Sequence, residues 1–86
     1  MIGQVYFDWN GPRDSVVEYA KKLEESAKKR KTKFMGVWSP HQDKWNFTAM
    51  IEANTMEEIY QTFVDAGGME KRMTHSILKY FERDYP

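Results

Sequence analysis

The chain has 86 residues, no cysteine, and 13 basic residues against 13 acidic ones. That length makes one domain. The missing cysteines exclude disulfides and thiolate–metal centres, and zero net charge argues against a dedicated nucleic-acid binder, which carries a basic excess. No stretch approaches the roughly 20 apolar residues of a membrane span. No basic segment leads into an apolar run as in a secretory leader, so a cytoplasmic protein is the expectation. A domain this small buries a modest share of its surface. Association would offset that, and a 15% aromatic content with three Trp supplies the apolar area.

Ile2–Trp9 reads as a strand. Gly3, Val5, Phe7 and Trp9 share one face, and Ile2, Gln4, Tyr6 and Asp8 the other, because side chains alternate along a strand. Asn10-Gly11-Pro12 breaks it. A helix is expected over Arg13–Lys31, with Ser15 and Glu18 spaced as a capping box or Pro12 in the first turn. Val16, Ala20, Leu23 and Ala27 form its apolar stripe. Glu18–Lys22, Glu24–Lys28 and Glu25–Lys29 are i,i+4 pairs, each contributing about 0.2–0.5 kcal/mol in an isolated helix.

Phe34–Trp38 and Trp45–Ala53 should form an antiparallel hairpin across the polar Ser39–Lys44 loop. Apolar Trp45, Phe47, Ala49, Ile51 and Ala53 alternate with Asn46, Thr48, Met50 and Glu52, Met50 being the exception to the polar set. Thr55 and Glu58 form a second capping box. Met56, Ile59, Phe63 and Ala66 are the expected buried stripe of helix two, and Gly67-Gly68 stops it. Met69–Thr74 fits either a loop or a further helical turn, and Ser76–Phe81 closes the chain as a strand.

This order predicts a single-domain, ferredoxin-like α+β sandwich: βαββαβ, antiparallel sheet order 4-1-3-2, both helices on one face. Phe47, Ala49, Ile51, Val5 and Phe7 should then pack against the helices. The other face would carry Ile2, Gln4, Tyr6, Asp8, Asn46, Thr48, Met50 and Glu52, joined by Ile77, Lys79, Phe81 and either Met35/Val37 or Phe34/Trp38. It is too apolar to be washed by water alone, so something should cover it.

With these residues the chain resembles the dimeric α/β-barrel superfamily, whose ferredoxin-like sheets pack face to face. The resemblance runs through Gly3–Trp9, the Val37-Trp38 and Trp45–Glu52 hairpin, the Ala53–Glu58 step into helix two, and Ile77–Phe81. It is one of layout and hydrophobic pattern. It implies a homodimer with a cavity between sheet and helices or between the sheets, in a group that includes monooxygenases acting on aromatic substrates, isomerases and haem-active enzymes.

Antiparallel pairing of the first and last strands puts Asp8 near His75 on one face, the one acid–base pair the sequence offers. The plainer reading is a strand-end ion pair. Tyr6, Trp38, Thr48 and Met50 could line a pocket for an aromatic ligand, or simply pack a dimer interface built of the same residue types. His41 lies in the hairpin loop, where a lone histidine is ordinarily solvated. Two histidines without cysteine make no closed zinc site within one chain, while a site shared across a dimer stays open. No cofactor is called for. The run Lys28–Lys33 could touch phosphates, but cations at a helix end equally complement its dipole.

The rival from another class is an RNA-recognition module, which has the same element order. Val5–Asn10 loosely resembles its first-strand motif. Lys44-Trp45-Asn46-Phe47-Thr48, however, lacks the glycine of its third-strand motif and puts the aromatics on the core face. An acylphosphatase-like reading finds Arg13 after strand one but no glycine-rich phosphate loop. The sequence thus favours a homodimer that binds, and in one reading transforms, a small apolar or aromatic molecule, with no membrane or nucleic-acid partner expected.

Overall fold

The computed structural model describes residues 1–39, 45–67 and 72–84. Its elements are β1 (Ile2–Trp9), α1 (Ser15–Arg30), β2 (Lys33–Trp38), β3 (Phe47–Glu52), α2 (Met56–Ala66) and β4 (Met73–Phe81). All strand pairs are antiparallel and the sheet order is β2-β3-β1-β4, which is 4-1-3-2 read from the other edge. The chain is a ferredoxin-like α+β sandwich. No helix is long and apolar enough to cross a membrane.

The alternation read from the sequence sets the core. Val5, Phe7, Trp9, Phe47, Ala49 and Ile51 are buried beneath the helices. Phe7 is its aromatic centre. It meets Tyr19 and Trp9 edge-on, with ring centroids 5.5 and 6.0 Å away, and stacks on its cross-strand partner Phe47 at 5.9 Å. Burial pushes the Tyr19 phenol up to about 12.

The helices depart from their expected stripes. The N-cap of α1 is Asp14, and Ser15 does not cap it. The Ser15 hydroxyl instead accepts from Trp9 Nε1 at 2.7 Å and donates to the Pro12 carbonyl at 2.5 Å, so a buried indole N–H takes the oxygen that a capping box would use. Tyr19 and Ser26 are buried where Ala20 is only partly so. On α2, Ile59, Thr62 and Ala66 are buried, Phe63 is half-buried and Met56 is exposed. The reason is a polar seam between the helices. Ser26 Oγ donates to the Thr62 carbonyl at 2.7 Å, the Thr62 and Thr32 hydroxyls lie 3.0 Å apart, and Arg30 pairs with Asp65. Paired hydroxyls are cheap to bury. Thr55 caps α2 as expected, its Oγ1 accepting from the Glu58 N–H at 3.2 Å. Gly67, with φ +70, ends it.

β4 begins at Met73, so part of the ambiguous 69–74 stretch is strand, while 69–71 lies outside the described residues. So does Gly68.

Candidate functional site

The face of the sheet away from the helices is built in rows by the strand register. Trp38, Thr48, Tyr6 and Ile77 lie in one row across β2, β3, β1 and β4. Gly36, Met50, Gln4 and Lys79 form the next, and Lys33, Glu52, Ile2 and Phe81 the third. Successive rows are roughly 7 Å apart. All four expected ligand contacts, Tyr6, Trp38, Thr48 and Met50, are therefore brought to one surface, three of them in one row. Trp38, Ile77 and Phe81 are each more than 40% exposed there. Thr48 differs in being buried, and its hydroxyl is already engaged: it donates to the Val5 carbonyl at 2.9 Å and accepts from Gln4 Nε2 at 3.0 Å.

Neither expected β2 set occurs. A bulge between Phe34 and Gly36 leaves Met35 as the extra residue, so Phe34 and Val37 both pack on the helix side while Trp38 pairs with Thr48. One inserted residue shifts the alternation by one. Gly36 makes this possible: its φ is +141, and a Cβ there would lie 3.1 Å from the Trp38 ring.

Asp8 and His75 do meet. His75 Nδ1 lies 3.9 Å from Asp8 Oδ2, with side chains 79% and 34% exposed. A second bulge lies at this contact. The β1–β4 register runs Phe7 to Ser76 and then Asp8 to Thr74, so His75 is the extra residue, at φ +43. Asp8 is held from the other side, its Oδ1 accepting from the Asn46 N–H at 3.3 Å. The Asn46 side chain in turn stands in for a peptide group: Oδ1 accepts from the Trp9 N–H at 2.9 Å and Nδ2 donates to the Trp9 carbonyl at 3.2 Å. It extends the β1–β3 ladder past its last backbone pair. At 3.9 Å the contact is longer than a hydrogen bond, so Asp8 stands beside the imidazole without orienting it. Among the described residues, no group of three or more His, Asp or Glu side chains gathers to hold a metal ion. His41 lies outside the described residues.

Sequence reasoning missed the supporting role of Asn46 and a cleft on the helix side. That cleft, about 650 Å³, runs between α1 and the edge strand β2, with Arg13 at one end. The alternation that starts at Trp45 hides Asn46 among its polar residues; β3 in fact begins at Phe47, so Asn46 precedes it. Of the basic run, Arg30 is paired with Asp65, Lys33 reaches Glu52 at 4.0 Å, and Lys31 forms the left-handed C-cap of α1. Phe47, which an RNA-recognition sheet would present for stacking, is in the core.

No protein-family description matches the chain, and no curated protein matches it.

Proposed function

We propose that the protein is a homodimer of the dimeric α/β-barrel kind, closed through the open sheet faces, which binds a small apolar or aromatic molecule between them. The carrying observation is the exposed apolar set on that face: Trp38, Ile77 and Phe81, with Tyr6, Met50 and Ile2 partly exposed beside them. Monomers rarely leave such a surface bare, and aromatic, Met and aliphatic side chains are what a homodimer core uses. Two such faces packed together would enclose the space for a flat ligand. The Asp8–His75 pair at one end would supply its polar contact, and acid–base chemistry if the ligand is turned over.

Light scattering coupled to size exclusion at micromolar concentration tests the assembly. A mass of about 20 kDa, twice the 10.3 kDa chain, is expected for a closed pair. A monomer would overturn this reading. For the ligand, 1-naphthol should shift the NMR signals of Tyr6, Met50 and Ile77 in the dimer. Shifts confined to other surfaces would count against a site between the sheets.

A further inference from the structure

We infer that the cleft between α1 and β2 is a second, independent binding site, for small organic carboxylates with an aromatic or branched aliphatic body. It lies on the helix side of the sheet and does not require a dimer. Its volume, about 650 Å³, is that of a small-molecule pocket. Its walls are apolar: Val17 is about half exposed, Phe34 and Val37 are half-buried, and Val16 and Phe47 lie beneath, while Trp38, of the open-face row, also borders it. Val17 is the side chain on the solvent-facing part of α1 for which the core gives no use.

The polar end is what selects the ligand. The Arg13 guanidinium carbon stands 5.5 Å from the centre of the Phe47 ring, and Nη2 donates to Ser39 Oγ at 2.7 Å. Two contacts, one from Phe47 of β3 and one from Ser39 just past β2, hold the side chain before any ligand arrives, which lowers the ordering cost of binding. One N–H of five is used by Ser39, and among the described residues no carboxylate closes on Arg13 within 4 Å. A planar cation with free donors beside an apolar trough fits a carboxylate joined to an apolar body. Asp14 also lines the cleft, but it makes no side-chain capping bond, so the pre-arranged charge is the positive one.

Naphthalene-2-carboxylate is the probe, with 2-naphthylmethanol and 2-naphthylmethylamine as neutral and cationic counterparts. Titration by NMR and by Trp fluorescence should give a Kd below about 1 mM for the acid, at least about 10-fold tighter than for either counterpart. Shifts should fall on Val17 and Val37. Arg13→Gln should remove the preference for the acid, and Asp14→Asn should strengthen it. Val17→Asp, at an exposed helix position where folding is not at risk, should weaken all three ligands. An Ile77→Lys chain should still bind the acid, because the site lies within one subunit; this separates the cleft from the proposed dimer. Equal affinity for the three probes, undiminished binding to Val17→Asp, or shifts only on Tyr6 and Met50 would overturn the inference.

Discussion

Gly3 and Ile59 touch so closely that no side chain fits between them: a Cβ built at residue 3 would fall 2.1 Å from Ile59 Cγ2. Ile59 is fully buried. Helix α2 therefore sits on β1 at a distance that only glycine permits. Gly3→Ala must push the helix off the sheet or force Ile59 from its rotamer, and should cost about 1–3 kcal/mol. Urea unfolding measures this. Gly3→Ala with Ile59→Ala should cost less than the sum of the two single changes, since Cγ2 is the atom the new Cβ meets.

Phe47 stacks on Phe7 and carries Arg13 above it. Phe47→Ala should cost about 3–5 kcal/mol, enough to unfold much of a small domain at room temperature. A thermal melt reads this directly. A near-neutral shift would mean that the aromatic centre is not where the stability lies.

Tyr19 makes stability fall in alkali. Its phenol is held neutral up to about 12 in the folded chain against an ordinary 10.0. Between those values the unfolded chain has lost a proton that the folded chain keeps, so the unfolded state binds fewer protons and folding weakens as pH rises. The contribution is intact below pH 10 and about 2–3 kcal/mol is lost by pH 12. Tyr19→Phe removes this dependence. Its stability relative to the wild type should therefore improve between pH 9 and pH 11.5 in parallel urea titrations.

His75 occupies a left-handed backbone position that suits glycine better. His75→Gly should raise stability by about 0.5–1 kcal/mol while abolishing any reaction that uses the imidazole. Gain in melting temperature together with loss of function would identify a residue kept for chemistry at a cost in backbone comfort. If function survives, the Asp8–His75 pair is only a strand-end contact.

Ile77 lies on the open face, 41% exposed, in the row with Tyr6 and Trp38. Ile77→Lys should leave the melting curve of a monomer within about 0.5 kcal/mol of its reference and should dissociate the proposed dimer. Light scattering would then read one chain instead of two. An unchanged dimer would place the interface elsewhere.

The core face of the sheet was legible because alternate residues of β1 and β3 carry its apolar set, and Phe7, Ala49 and Ile51 are buried as that pattern requires. Residues whose roles depend on a partner were not. Ser15 looks like a cap until Trp9 is seen to need its oxygen. Ser26 and Thr62 look like surface positions until the two helices meet and each hydroxyl finds a partner. The nearness of Asp8 to His75 was legible from antiparallel pairing alone. The bulge that puts His75 opposite no residue was not, because an inserted residue leaves no periodic trace in so short a strand. The same holds for β2, where a glycine could be read but the shift of Val37 to the helix side could not.

The two bulges lie in β2 and β4, and these are the two outer strands of the sheet. Each outer strand thus presents an interrupted row of free N–H and C=O groups, a poor template for a further strand. Growth of the sheet sideways, into a continuous eight-stranded pair or a fibril, is hindered at both margins. Contact through the broad face meets no such obstacle. Deleting His75 would straighten one margin, and the product should self-associate through that strand, with rising thioflavin fluorescence where the intact chain gives none.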